Sequence, residues 1–265
     1  MSSGEQDYST QGASGNFSQH QPSVDPSDPV GHSLAEVGVF DGTLSTWTQS
    51  VEVGWIVAPA VFHDTQPHLF VSTWYDNGKE QCYVSRSAPC DFHAVSSAHY
   101  YPGDAVAITN TPQQYLIEHL QGNWWIWYKD QWIGYIPNSH WNNTFTQVKS
   151  VQWPAEVASL HTSPCTAMGN GTFGHEDGSA VITHMFFTDG DGGPYPDASA
   201  HLVPHPYTNL YDAGHFSPST DSFNSFTYGG PGTCRDEEDI PSSRIRLHSL
   251  RSQVKSFATS ALGSQ

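Results

Sequence analysis

Two glutamates stand alone in aromatic, nearly charge-free surroundings: Glu52 within Val51-Glu52-Val53-Gly54-Trp55, and Glu156 within Trp153-Pro154-Ala155-Glu156-Val157. A carboxylate set among Trp, Val and small residues loses hydration, and desolvation raises its pKa unless a partner compensates. Two such groups brought together form an acid/base pair able to activate water. Residues two apart in a strand share a face, so Glu52 projects beside Gly54 while Val51, Val53 and Trp55 face the other way. Glu156 likewise projects with Gln152 and Pro154, opposite Val151, Trp153, Ala155 and Val157. Small or rigid neighbours on the carboxylate face leave room for a ligand there. Taken singly, a strand glutamate is more often a solvated outer-face residue. Two of them in a chain with only 13% charged residues weigh against that reading.

Other candidate chemistry is weaker. Asp189-Gly190-Asp191-Gly192-Gly193 looks like a calcium loop but lacks the terminal glutamate at the required spacing, so an ordinary Gly-rich turn is the expectation. His201, His205 and His215 fall in a loop-like region and are expected to be solvated. Ser-His-Asp and Cys-His arrangements have no supporting motif. Cys82, Cys90, Cys165 and Cys234 form no C-x-x-C and no zinc spacing with histidine. They permit three pairings, of which the local Cys82–Cys90 with a long-range Cys165–Cys234 is the simplest. Disulfides imply an oxidising compartment and hence a secreted protein, although residues 1–30 show no apolar signal-peptide core.

The elements that must position the two glutamates read as strands. Between residues 34 and 188, short apolar or alternating runs recur between Gly, Pro, Asn and Asp: 37–40, 51–57, 68–75, 81–84, 91–99, 105–109, 114–119, 123–128, 132–136, 143–149, 151–158 and 180–187. This spacing predicts an all-β, antiparallel β-sandwich of jelly-roll-like type. Residues 124–128 and 132–136, joined by Lys129-Asp130-Gln131, read as a hairpin. Only 31–36 and 137–148 suggest short helices. Residues 1–33, rich in Ser, Gln, Gly, Asp and Pro, read as a disordered polar arm. Residues 189–233 read as loops. In the tail, 235–265, Ser243 is placed to cap a helix with Leu247, Leu250, Val254, Phe257 and Ala261 along one stripe.

The net charge of −17 is unevenly placed, because five of the nine Lys and Arg residues lie at or beyond Arg235. The strongly acidic body argues against nucleic acid and anionic membranes as partners. Fifteen histidines gain charge as pH falls, which suits work in acid.

An ordered set of motifs resembles the neprosin domain. Its first half contains Glu52-Val53-Gly54-Trp55, Phe70-Val71-Ser72-Thr73-Trp74-Tyr75-Asp76, and Cys82-Tyr83 with Cys90 and Phe92. Its second half contains Gly122-Asn123-Trp124-Trp125-Ile126, Ile133-Gly134-Tyr135-Ile136-Pro137, Trp153-Pro154-Ala155-Glu156-Val157, Met168-Gly169-Asn170-Gly171 and Tyr228-Gly229-Gly230-Pro231-Gly232. The match covers residues 34–234. The resemblance implies a β-sandwich glutamic endopeptidase, with plant members cleaving after proline, and it implies Glu52 and Glu156 as the catalytic pair. It also matches Cys82 and Cys90 to a small disulfide loop. Where the plant pattern has two glycines before the second glutamate, this chain has Pro154-Ala155. Such an enzyme requires no metal or cofactor and takes a peptide or protein substrate, expected to be proline-rich. Trp55, Trp74, Tyr75, Trp124, Trp125 and Tyr135 are candidates to line subsites, because proline rings stack on aromatic faces. Asn123, Gln152 and Tyr135 are candidate donors to the substrate carbonyl. A glycoside hydrolase with paired glutamates and a non-catalytic sugar- or peptide-binding sandwich are the competing readings.

Overall fold

The computed structural model describes residues 2–43, 46–162, 164–189, 194–196, 201–202, 209–218 and 224–232. Among them, two antiparallel sheets account for nearly all regular structure. The first sheet holds, in spatial order, β15 (His201–Leu202), β1 (Ser2–Thr10), β11 (Val148–Gln152), β3 (His32–Phe40), β4 (Ser50–Val57), β5 (His68–Tyr75) and β6 (Glu80–Tyr83), with β12 (Ala155–Ala158) also paired to β3. The second holds β16 (Asp212–Pro218), β17 (Asn224–Gly229), β13 (Ala180–Thr188), β2 (Gly12–Gln19), β8 (Thr109–Leu120), β9 (Asn123–Tyr128), β10 (Gln131–Pro137) and β7 (His93–Ala94), with β14 (Pro194–Pro196) on β13. Among the described residues, helix is confined to α1 (Pro59–Phe62) and a 3-10 turn, Asn138–Trp141.

The sheets pack face to face as a β-sandwich, and strand parity decides what enters the core. From the first sheet come Ala35, Val37, Val39, Val51, Val53, Trp55, Leu69, Val71 and Trp153. Phe17, Tyr115, Ile117, Trp124, Ile126, Tyr128 and Ile182 meet them from the second. Buried indole N–H groups need acceptors, and two of them reach across the layers to one strand. Trp55 Nε1 donates to the Ser18 carbonyl at 2.9 Å, and Trp153 Nε1 to the Ser14 carbonyl at 3.0 Å. Both carbonyls belong to β2.

That strand overturns the expectation of a disordered arm over residues 1–33. The segment supplies β1, β2 and the start of β3. β2 lies between β8 and β13, and its small residues are the reason it fits. A Cβ on Gly15 would stand 3.0 Å from the Trp153 ring. Tertiary packing thus outweighs a polar composition with weak strand propensity. The helix expected over 31–36 is likewise strand, part of β3. Residues 189–233 are not all loop, because β16 and β17 pair there, with Phe226 and Tyr228 buried from alternate positions of β17. The runs at 91–99, 105–109 and 143–149 are largely irregular. The tail 235–265, with its expected helix, lies outside the described residues.

Since Trp55 holds the two sheets together, Trp55→Phe should lower the melting temperature by several degrees in calorimetry. The lost donor and residual gap cost about 1–3 kcal/mol, at about 2–4 °C per kcal/mol.

Candidate active site

The residues of β3 and β4 that do not enter the core face away from the second sheet, and there the register places carboxyl groups. Along β3–β4, Glu36 lies opposite Gly54, and Gly38 opposite Glu52. The sequence Glu-Val-Gly occurs on both strands, and antiparallel pairing sets each glutamate against the other's glycine. The exchange is sterically required, since a Cβ on Gly54 would fall 2.0 Å from the Ala35 carbonyl and 2.7 Å from the Glu36 Cβ. On the other side of β3, Gln152 lies opposite Gly38 and Glu156 opposite Leu34. Between them the Glu36 N–H donates to the Pro154 carbonyl at 3.1 Å, which carries the register across the break at Pro154. Glu52, Glu36 and Glu156 therefore form a diagonal over three adjacent strands. Diagonal neighbours in a sheet lie within reach of long side chains. Glu36 occupies the middle.

All three line one cavity of about 250 Å³, together with His32, Leu34, Phe40, Trp47, Phe70, Trp74, Gln81, Tyr83, Gln152 and Pro154. Phe40, Trp47 and Trp74 form one aromatic wall, with ring centroids 5.4 and 5.6 Å apart in sequence. Phe70 and Tyr83 pack edge to face on another side, at 5.0 Å. The Cys82–Cys90 disulfide, with a Cα–Cα distance of 5.9 Å, fastens the chain beside Tyr83. Cys165 is also disulfide-bonded, while its expected partner Cys234 lies outside the described residues.

The three carboxyls differ electrostatically. Glu52 is 6% exposed and accepts a hydrogen bond from Ser50 Oγ at 3.1 Å. Trp74 and Ser72 side chains also hydrogen-bond it, and Gln81 Nε2 donates to Ser72 Oγ at 3.0 Å. Burial outweighs these donors and, helped by the charge of Glu156, pushes Glu52 up to about 8. Glu36, 7% exposed, is held well above the carboxylate range by burial and then by the charges of Glu52 and Glu156.

Glu156 goes the other way. Burial raises it, but the hydrogen bond and charge of His32 bring it below its ordinary value. Its side chain is 27% exposed, and His32 Nε2 lies 3.2 Å from its Oε1. The opposite ring nitrogen, Nδ1, lies 3.0 Å from the Val30 carbonyl, which can only accept, so Nδ1 carries hydrogen. The phenol of Tyr83 is kept protonated by burial and by the three neighbouring carboxyls. At mildly acidic pH the cavity thus combines an ionised Glu156 with a protonated Glu52, which is the complementary state of an acid/base pair.

Of the residues singled out in the sequence, Glu52, Glu156, Trp74 and Gln152 meet in this cavity. The others do not. Trp55 points into the core because odd positions of β4 face the second sheet. Tyr75 shares that parity on β5 and packs edge-on to His140, 5.2 Å away. Trp124 is buried, its Nε1 donating to the Phe145 carbonyl. Asn123, Trp125 and Tyr135 lie on β9 and β10 of the second sheet, with Asn123 Nδ2 donating to the Gln121 carbonyl. Sequence reasoning missed Glu36, His32 and Tyr83. Glu36 carried the same signal as Glu52, a lone carboxylate followed by Val-Gly, but reading 31–36 as helix hid its face. Among the described residues no group of three or more His, Cys, Asp or Glu side chains is placed to hold a metal ion. Gly190–Gly193 and the side chains of His201, His205 and His215 lie outside the described residues.

A family model described as Neprosin matches residues 30–231. Among solved structures, scytalido-glutamic peptidase with a transition state analog inhibitor is similar at 9% identity, over 86% of this chain and 96% of that one, with a TM-score of 0.47. Chicken galectin 2 is similar at 10% identity, over 60% of this chain and 94% of that one, with a TM-score of 0.28.

The raised Glu52 links folding to pH with a definite sign. Between the ordinary glutamate value and about 8, the folded chain holds a proton that the unfolded chain has released, so stability falls as pH rises through that window. Glu52→Gln removes this dependence. Its melting temperature should exceed that of the wild type near pH 8 by a few degrees and converge on it near pH 4, with each kcal/mol read as about 2–4 °C.

Proposed function

The chain belongs to the Neprosin family, and on that premise we propose that it is a glutamic endopeptidase, with Glu156 as general base and Glu52 as general acid. The opposed protonation of Glu156 and Glu52 in one cavity carries this reading. Ionised Glu156 takes a proton from water, whose oxygen adds to the peptide carbonyl carbon, while Glu52 gives its proton to the carbonyl oxygen. Collapse of the resulting diol breaks the C–N bond. The departing nitrogen takes the proton from Glu156, and a diol hydroxyl returns one to Glu52, which restores both residues. The contact with His32 holds the base in place and keeps it ionised in acid.

The wall of Phe40, Trp47 and Trp74 supports a preference for proline, whose ring stacks on aromatic faces without a hydrogen-bond donor to satisfy. The disulfide-bonded cysteines support action in an oxidising, extracellular setting. The glycoside hydrolase reading draws on the same carboxyls and aromatic groups, and the assay below separates it.

The test is digestion of a proline-rich protein and of oligosaccharides from about pH 2 to about pH 9, by wild type, Glu52→Gln and Glu156→Gln. Either substitution should lower kcat by about 10²–10⁴-fold at unchanged fold. Full activity in either variant, or cleavage of sugars and not peptides, would exclude the proposal. Activity needs Glu156 ionised and Glu52 protonated. The kcat/KM profile should therefore rise below the ordinary carboxylate range and fall near pH 8. In His32→Gln the rising limb should move to higher pH while the falling limb stays, which a pH series on a fluorogenic peptide would measure.

A further inference from the structure

We propose that Glu36 is a third catalytic residue: a carboxylic acid, neutral throughout the working range, that donates a hydrogen bond to the substrate carbonyl oxygen. The inference rests on the peptidase reading and adds a role that neither Glu52 nor Glu156 fills.

Three observations carry it. The first is position. Glu36 is the diagonal neighbour of both Glu52 and Glu156, so a peptide carbonyl bridging those two lies over Glu36. The second is an unmet hydrogen-bonding need. Glu36 Oε2 is shielded from water and has no hydrogen-bond partner among the described residues, although the side chain faces the cavity. Nine-tenths of its surface and more is buried, and a buried polar atom left unpaired costs free energy until a ligand supplies the partner. The third is the company it keeps. Among the residues lining the cavity, His32 is engaged by Glu156, and no Lys or Arg is present to balance a charge on Glu36. An ionised Glu36, itself buried, would face two other carboxyls. The neutral acid avoids that repulsion and has an O–H to give.

The chemistry complements the dyad. As water adds, negative charge builds on the carbonyl oxygen while Glu52 transfers its proton to it. A second, fixed donor at that oxygen stabilises the charge without itself changing protonation, the function of an oxyanion hole. Aspartic or glutamic side chains serve as neutral donors wherever burial denies them ionisation. Gln152, level with Glu52 across β3, approaches from the far side.

The decisive comparison is Glu36→Gln against Glu36→Leu. Gln keeps the shape and an N–H donor but cannot ionise, so its kcat should fall by no more than about tenfold, with both limbs of the pH profile retained. Leu removes the donor and should lose about 10²–10³-fold in kcat with little change in KM. Matching melting curves for the two variants would assign the loss to the donor and not to misfolding. If Leu misfolds, Gln alone still decides. A Gln variant as inactive as Glu156→Gln would show that Glu36 must ionise and would overturn the proposal. A folded Leu variant of wild-type activity would overturn it too.

Carboxyl carbon NMR on glutamate-labelled protein gives an independent reading, with the Glu36 resonance assigned by its loss in Glu36→Gln. It should stay in its protonated position over the range where Glu156 ionises. Titration together with Glu156 or before it would overturn the proposal. An inactive wild type would instead count against the peptidase reading, and the Glu36 resonance would still settle whether the neutral acid exists.

Discussion

Three carboxyl groups and one imidazole line one cavity, two of the carboxyls almost fully buried, and this imbalance of charge governs the site. Two carboxylates a few ångströms apart repel by about 3–4 kcal/mol at the effective dielectric of a protein, so a buried cluster holds few negative charges at once. The imidazole of His32 decides where the charge goes. It stands against Glu156, while Glu52 accepts only from neutral groups such as the Ser50 hydroxyl. Protonation is thereby sorted before any substrate arrives. The carboxyl beside the imidazole is held below its ordinary value, and those on β3 and β4 are raised above theirs. Desolvation, which would merely be a cost in a structural strand, here produces the difference in proton affinity that acid/base chemistry requires.

The backbone makes this arrangement possible through close approach. β3 and β4 each carry Glu-Val-Gly, and the reciprocal pairing of Glu36 with Gly54 and Gly38 with Glu52 gives each of these two carboxyls an empty neighbour. The valines between them, Val37 and Val53, point the other way into the core. One three-residue pattern thus provides a carboxyl, the room for it and the anchor beneath it. The proton on Glu52 and the one on Glu36 have a thermodynamic consequence of the same sign, since both favour the folded state at lower pH. His20, buried beside Trp55 and pushed down to about 4, acts oppositely and costs stability as acid increases. The two trends meet in mild acid.

Much of this was legible in the residues, and the failures have physical causes. Strands β4, β5 and β9 announced themselves through alternation or dense aromatic runs, and Glu52 and Glu156 through their isolation among apolar neighbours. The aromatic subsites did not follow. Propensity marks Trp55 and Trp124 as strand residues, but parity and sheet assignment decide whether a side chain reaches the cavity, and the second sheet turns only its inner face toward the first. Trp74 met both conditions. Glu36 and β2 were missed for a shared reason, because each depends on a partner far away in sequence. β2 has no apolar pattern of its own. It becomes a strand because β8 and β13 lend it hydrogen bonds, and because its small residues admit Trp153.

That last contact ties the polar N-terminal segment to the chemistry. Trp153 precedes Pro154 at the break between β11 and β12, and its indole is held by the Ser14 carbonyl of β2. With Trp153 fixed toward the core, strand parity turns Pro154 and Glu156 toward the cavity. Pro154 can give no N–H to β3, yet its carbonyl accepts from Glu36, so the ladder keeps its register across the interruption. A fixed φ at Pro154 also removes freedom that two glycines would have at this point. Glu156 is therefore oriented from below by a tryptophan anchored in the opposite sheet, and from the side by the same strand that carries Glu36. A rearrangement of β2 would disturb Trp153, and through it the segment carrying Glu156, which makes the inter-sheet core part of what positions the site.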